Sequence, residues 1–177
     1  MTTPYTIDTA HSGIHFAVRH MVISKVRGRF TKWSANLVLD DSDLTGSRVD
    51  VTIDTASIDT QVGDRDNHLR SPDFLDAAQF PSITFKSKTI EKRANDYHVR
   101  GELTIHGVTR EVTLDTELVG RGKDMNGNER VGFAAKTSID RKDFGLKWNV
   151  ALEAGGLLVG EKVEIEIEIE AQKGAAK

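Results

Sequence analysis

The chain has 177 residues, 38% of them hydrophobic, which is enough for the core of one domain, and we predict a single domain over residues 1–177. Its 24 basic and 27 acidic residues give a formal net charge of -3 without a long block of one sign, which argues against nucleic acid as a partner. The chain has no cysteine, which excludes disulfides, thiolate metal sites and a cysteine nucleophile.

The N-terminus shows no secretion signal. Residues 1–8 contain neither a basic region nor an apolar one, and no later stretch approaches about 20 uninterrupted apolar residues. We therefore predict no transmembrane segment. The sequence as it stands indicates a cytoplasmic protein, or a periplasmic one if a signal peptide has been removed.

Alternating apolar and polar residues predict strands in both halves of the chain. Successive side chains of a strand point to opposite faces, so apolar residues at every second position form one buried face. The runs of this kind, in chain order, are residues 14–18, 35–39, 49–53, 99–105, 112–118 and 163–170. The last is the clearest, because apolar and acidic residues alternate there without interruption.

The middle of the chain, residues 57–82, lacks this alternation. Ser71 followed by Pro72 is typical of a helix N-cap and first helical position, and Asp73 is favourable near the positive end of a helix dipole. We predict a short helix over about residues 72–78. It should end before Pro81, because proline restricts the residue ahead of it.

Short turns separate the strands, including His106-Gly107, Asn126-Gly127 and Gly155-Gly156. About eight strands without an internal repeat fit a two-sheet sandwich or a barrel, and short sequential links favour the barrel. We predict an all-β fold, a single up-and-down antiparallel β-barrel of about eight strands with a short helical excursion in the middle. Such a barrel is either filled by side chains or holds one slender ligand.

The sequence carries no catalytic or metal-binding motif that we recognise. His11 and His15 lie four residues apart, but zinc-ligand spacings are missing, and we expect both on the polar outer face opposite Ile14. A G-x-S-x-G motif and a phosphate-binding glycine loop are missing too, and Gly120 and Gly122 indicate a hairpin end. We predict a protein that is not an enzyme, with no catalytic residue, metal or cofactor.

Arg65, Asp66 and His68 form the densest polar cluster. In a loop that leads into a helix they could line the mouth of a cavity and hold a phosphate or carbonyl head group, since the arginine fork suits phosphate. The structural alternative is that Asp66 caps the short helix while Arg65 pairs with a carboxylate. Arg141 combines a basic group with a nearby aromatic at a strand end, where the alternative is a solvated turn.

The sequence resembles the YceI-like proteins, lipocalin-like antiparallel barrels that bind polyisoprenoid lipids such as polyprenyl phosphates or isoprenoid quinones. The resemblance runs nearly end to end and is most specific over residues 65–76. The other segments that carry it are residues 8–16, 26–30, 57–60, 80–85, 101–109, 141–145 and 159–163.

The resemblance implies a carrier, storage or sensing protein whose ligand chain threads the barrel. We expect inward aliphatic and aromatic side chains to form the wall, although each could equally be plain core: Ile14, Phe16, Val18, Val51, Ile53, Phe74, Phe85, Phe133 and Ile139. The head group or mouth is assigned to Arg65, Asp66, His68 and Arg141.

Two other functions stay open at this point. A barrel enzyme acting on a small apolar substrate would need a titratable group aimed into the cavity, with Arg65 and His68 as candidates. A ligand-free interaction module would have a filled barrel. A homodimer also stays open, since an exposed strand edge or an apolar rim would favour one.

Overall fold

The computed structural model describes residues 1–174, and these residues form eleven hydrogen-bonded strands in one closed sheet. The strands are β1 Thr2–Ile7, β2 Gly13–His20, β3 Ser24–Phe30, β4 Trp33–Asp40, β5 Arg48–Asp54, β6 Ile58–Asp59, β7 Ser82–Arg93, β8 Asp96–Ile105, β9 Val108–Lys123, β10 Glu129–Asp140 and β11 Val159–Lys173. The described residues also form one α-helix and four 3-10 helices: α1 Gly63–Arg70, and Thr9–His11, Leu44–Gly46, Thr55–Ser57 and Arg141–Phe144.

Three pairs of consecutive strands are halves of longer, kinked strands. The pairs are β1 with β2, β3 with β4, and β5 with β6. The first halves and second halves pair in step: β1 pairs with β4 and β2 with β3, and likewise β5 pairs with β4 and β6 with β3. Counted this way the barrel has eight antiparallel strands, each beside the next in sequence, and β11 closes the ring by pairing with β1 and β2. This confirms the predicted up-and-down barrel.

The alternation in β11 decides which of its faces is buried. Ile165 lies opposite Phe16 of β2, and Ile167 lies opposite Ile14, so apolar side chains pair across the inner face. The glutamates that alternate with these residues point outward, where Glu164 forms an ion pair with Lys25 at 2.7 Å.

Antiparallel order sorts the connections between the two ends of the barrel. The β2–β3 hairpin, the segment 60–81 that contains α1, the β8–β9 turn and the segment 141–158 lie at one end, which we call the helix end. The other end, which we call the packed end, is filled by the buried side chains of Tyr5, Leu37, Leu39, Leu44, Val131 and Ala171.

The helix lies earlier in the chain than predicted. α1 spans Gly63–Arg70, whereas residues 72–78 form turns. Ser71 is the C-cap of α1, and its hydroxyl donates a hydrogen bond to the His68 carbonyl at 2.6 Å. Because Pro72 disfavours a helical conformation at Ser71, the Ser-Pro pair ends a helix here. The prediction that the same pair starts one was wrong.

The predicted turns are present. His106 and Gly107 both have positive φ, 53° and 71°, as a two-residue hairpin turn requires. Gly127 also has a positive φ, 83°, and its N–H donates to the Asp124 carbonyl at 2.9 Å. Gly155 and Gly156 lie in the turn of the segment 141–158, each with a φ of 89°.

Candidate functional site

A cavity of about 610 Å³ occupies the barrel interior. This volume lies within the range of about 300–1,000 Å³ that is typical of cavities enclosing a small organic ligand. Most of the lining side chains are aliphatic or aromatic. Transfer of an apolar ligand from water into this cavity would therefore lower the free energy, whereas a polar ligand would lose its hydrogen bonds with water.

All nine residues predicted for the barrel wall line this cavity. Eight of them lie on strands and Phe74 lies in the turns after α1. Five are buried, namely Ile14, Ile53, Phe74, Phe85 and Ile139, and the half-buried ones are Phe16, Val18, Val51 and Phe133. Their contact with a ligand stays a prediction.

Sequence reasoning missed several wall residues, of which Val26, Phe30 and Trp148 are examples. Val26 and Phe30 share a face of β3 with Gly28, and apolar positions alternate there with Arg27 and Arg29, so the period-two signal was available. Trp148 lies in irregular chain after the Arg141–Phe144 helix, where no periodicity marks it.

Most of the charged and histidine residues of the lining lie at the helix end. Arg19 and His20 end β2, Asp64, Arg65 and His68 lie on α1, and Arg141 follows β10, with His15 and Arg48 outside this group. Within residues 1–174, the first five residues of β3, residues 24–28, pair only with β2, so the barrel wall has a free strand edge here. Asp64 and Arg19 are exposed as well as lining the cavity. We call this region the mouth.

Arg65 and Asp66 both bind Thr60, on the chain leading into α1. Arg65 lines the cavity, and its guanidinium donates to the Thr60 hydroxyl at 2.8 Å and to the Thr60 carbonyl at 3.0 Å. Asp66 is buried outside the lining and accepts hydrogen bonds from the Thr60 N–H at 2.9 Å and hydroxyl at 2.5 Å.

The geometry therefore places Asp66 away from the mouth position predicted for it, because its carboxylate is turned to Thr60. The structural alternative was wrong in detail. Asp66 lies within the first turn of α1 and does not cap it, and Arg65 binds a threonine where a carboxylate was expected.

His68 lies between two aromatic side chains at the mouth. Its ring meets Phe74 edge-on at a centroid distance of 5.0 Å and Trp148 at 4.7 Å. Its Nε2 lies 2.9 Å from Asp73 Oδ2. These contacts hold the imidazole at the border between the cavity and solvent, where it can meet the polar end of a ligand.

Arg141 is a buried cation in the cavity wall, with only 3% of its surface exposed, so the predicted alternative of a solvated turn was wrong. Its guanidinium donates to the carbonyls of Leu146 at 2.6 Å and Gly160 at 2.8 Å. Burial lowers the pKa of this guanidinium. No carboxylate among residues 1–174 pairs with it at salt-bridge distance. An anionic or strongly dipolar ligand group would offset part of the cost of burying this charge.

Asp8, His11 and Glu170 form a separate polar group at the surface, with one ligand-type atom from each within 4.8 Å of the others. Arg130 already binds two of them, with its guanidinium 2.8 Å from Asp8 and 3.1 Å from Glu170. Hydrogen bonds from His11 and Arg130 lower the pKa of Asp8 to about 2. This group ties the start of β2 to β10 and β11.

His11 lies in the Thr9–His11 helix, so it does not share an extended strand face with His15 as the spacing predicted. His15 is exposed on β2, next to the buried Ile14.

Comparisons with known proteins agree over nearly the whole chain. A family model of the YceI-like domain matches residues 5–171. A UPF0312 protein of Staphylococcus epidermidis is 41% identical over 169 residues, which cover 95% of this chain and 96% of that protein.

Two solved structures share the fold. The crystal structure of Burkholderia cenocepacia BcnA superposes with a TM-score of 0.79 at 25% identity, over 93% of this chain and 98% of that one. A polyisoprenoid binding domain from Saccharophagus degradans, implicated in plant cell wall breakdown, gives a TM-score of 0.66 over 97% of this chain and 99% of that one. At 16% identity, this second likeness shows the fold alone. No helix within residues 1–174 has the length and apolar character needed to cross a membrane.

Proposed function

Because the chain belongs to the YceI-like domain family, we propose that it binds a polyisoprenoid lipid in the barrel cavity and acts as a carrier, storage or sensing protein for it. The observation that carries this proposal is the apolar cavity of about 610 Å³ inside a closed barrel. The Saccharophagus degradans structure of the same fold is a polyisoprenoid binding domain, which supports the ligand class. The cavity also argues against a ligand-free module with a filled barrel.

Burial of the lipid chain supplies the binding free energy. Each buried CH₂ contributes about 0.8 kcal/mol, so an isoprene unit of about five carbons contributes a few kcal/mol before the ordering costs. Binding of this kind needs no catalytic group and no cofactor. Since non-covalent affinity saturates near -18 to -21 kcal/mol, we expect the length of the cavity to limit the chain that binds.

The polar end of the lipid would lie at the mouth, against Arg65, His68 and Arg141. Arg65 and Arg141 each donate some of their guanidinium N–H groups to protein oxygens. Their remaining N–H groups can donate to a phosphate or a quinone carbonyl. The buried charge of Arg141 favours a polyprenyl phosphate over a neutral quinone, because a phosphate offsets more of its desolvation cost.

Native mass spectrometry of freshly purified protein, followed by organic extraction of what it releases, tests the proposal. We expect a stoichiometric isoprenoid lipid, or uptake of an added polyprenyl phosphate or isoprenoid quinone by lipid-free protein. Protein that is purified without lipid and takes up neither probe would contradict the proposal.

A further inference from the structure

The β2–β3 hairpin presents three consecutive apolar side chains to solvent at the helix end. Met21 is 42% exposed, Val22 is 64% exposed and Ile23 is 82% exposed. Soluble domains rarely leave large apolar side chains contiguous at the surface unless a membrane, a ligand or another protein covers them. These side chains therefore need an explanation beyond the fold.

A second exposed apolar segment packs beside this hairpin. The Met21 N–H donates to the Leu158 carbonyl at 2.9 Å, and this ties the hairpin to the segment that carries Val150 and Leu157. Both of these side chains are exposed as well. We call the five residues the rim patch, which consists of Met21, Val22, Ile23, Val150 and Leu157.

The backbone of the hairpin is strained for the residues it carries. Met21 and Val22 have φ values of 52° and 64° in a turn that Ile23 closes with a hydrogen bond to the His20 carbonyl. Asn and Gly are the usual residues of such turns, and a β-branched valine with positive φ is an outlier. Val22 nevertheless remains 64% exposed, and strain at a mostly exposed residue is typical of a residue held for an external contact.

The rim patch continues into the cavity mouth. His20 and Leu158, which adjoin it in sequence, both line the cavity. Two of the nearby charges are already paired, since Lys25 binds Glu164, and Glu161, which lies against Val22 and Leu157, binds Lys142. Among residues 1–174 no carboxylate forms a salt bridge with Arg19 or Lys147, and residues 19–25 and 147–158 contain a single acidic residue, Glu153. The chain as a whole has more acidic than basic residues. An apolar tip with basic neighbours suits the surface of an anionic bilayer.

We propose that the rim patch docks the protein on a lipid bilayer and brings the cavity mouth against the membrane. This inference rests on the proposed function, because a polyisoprenoid lipid resides in membranes and its chain would otherwise cross water to reach the cavity. Docking inserts Val22 and Ile23 among the acyl chains, and Arg19 and Lys147 face the lipid phosphates. The lipid then passes between bilayer and cavity with little of its chain exposed to water.

Flotation with vesicles of phosphatidylcholine and phosphatidylglycerol tests the docking. We expect the wild-type protein to float with the vesicles. The partition coefficient of the double variant Val22→Ser, Ile23→Ser onto the vesicles should be at least about tenfold lower. The matched control is Val119→Ser, because Val119 is 63% exposed, like Val22, but lies near the packed end of β9. It should float like the wild type.

Uptake of polyprenyl phosphate from detergent micelles separates docking from lipid binding. Trp33 and Trp148 line the cavity, so their fluorescence reports ligand entry. The double variant should match the wild type in this assay while it floats poorly. If the wild type floats but takes up no lipid, the proposed function fails and the docking surface stands.

Three results would overturn the docking proposal. The wild-type protein stays unbound to the vesicles, or the double variant floats as well as the wild type. The third result is self-association of the wild type together with a monomeric double variant. It would make the rim patch an interface between two copies of this chain.

Discussion

Polar residues of this protein differ in role according to where the fold places them and what they bind. Arg65 and Asp66 are adjacent in α1 and both bind Thr60, yet Arg65 lines the cavity and Asp66 is buried away from it. Likewise, the position of the His11 ring is fixed by the Asp8 carboxylate, which lies 3.0 Å from its Nδ1. The residue type alone does not distinguish a ligand contact from a structural one.

The first prediction concerns the ionisation of His11. Its hydrogen bond with Asp8 raises the pKa of His11 above the ordinary 6.5, because the carboxylate stabilises the imidazolium. The variant Asp8→Asn should return this pKa toward 6.5, as measured by NMR titration. Asp73→Asn is the control and should leave the pKa of His11 unchanged. An unaltered pKa of His11 in Asp8→Asn would refute the assignment.

The same pair fixes a sign for the dependence of stability on pH. His11, with a raised pKa, contributes to stability below pH 6.5, and the contribution is lost as the pH rises through its folded pKa. Asp8, with its pKa lowered from 3.8 to about 2, contributes above pH 3.8, and that is lost as the pH falls toward 2. The contribution of the pair to the free energy of unfolding should therefore be largest between these two limits.

At the scale of elements, aspartates set the breaks in the barrel. Each of the four 3-10 helices is preceded by an aspartate whose carboxylate accepts the N–H two residues later, namely Asp8, Asp43, Asp54 and Asp140. Two of these helices kink long strands between β1 and β2 and between β5 and β6. Together with the break between β3 and β4, these two kinks divide eight strands into eleven, and they help to leave the free edge of β3 at the mouth.

The second prediction concerns how α1 is held over the barrel. Asp66→Ala removes a buried carboxylate and leaves the Thr60 N–H and hydroxyl without this partner. We expect the free energy of unfolding to fall by about 1.5–3 kcal/mol, since hydrogen bonds to a charged group are lost. Urea denaturation measures it. Asp64→Ala is the control on the same helix, and its exposed side chain should change stability by less than about 0.5 kcal/mol. Equal losses in both variants would contradict the role of Asp66.

For the molecule as a whole, the interior of the barrel sets what it can bind. Eight strands give an interior that side chains can fill or that can hold a slender ligand. In this chain the packed end is filled, and the cavity extends from it to the polar mouth at the helix end. A ligand with one apolar chain and one polar end matches this arrangement.

The third prediction is that the wall limits chain length. Phe85 is buried in the wall on β7, so Phe85→Trp narrows the cavity and should shorten the longest polyprenyl chain that binds. We expect the affinity for long chains to fall about tenfold, the equivalent of two buried CH₂ groups. Lys86→Trp places the same side chain at an exposed position of the same strand and should have no such effect. Competition between polyprenyl phosphates of different lengths measures the preference for chain length. An unchanged preference in Phe85→Trp would show that Phe85 is not part of the ligand-contacting wall.

The short links between strands favoured the barrel, and the sequence alone predicted six of the eleven described strands and the apolar character of the wall. These follow from the period-two pattern, which is local: Ile165 and Ile167 point to the same face wherever β11 lies. The position of the helix was missed because Ser71 and Pro72 suit both the start and the end of a helix. The hydrogen bonds of Arg65 and Asp66 with Thr60 favour the helix that ends there.

Which polar residues reach the cavity, and where its mouth lies, depend on contacts between distant parts of the chain. Arg141 is buried because the carbonyls of Leu146 and Gly160 converge on it, and Gly160 belongs to β11. The rim patch forms because Met21 binds Leu158, far along the chain. Such contacts depend on strand register and on the kinks in the barrel, and these arise from pairing between distant residues, which no local pattern encodes.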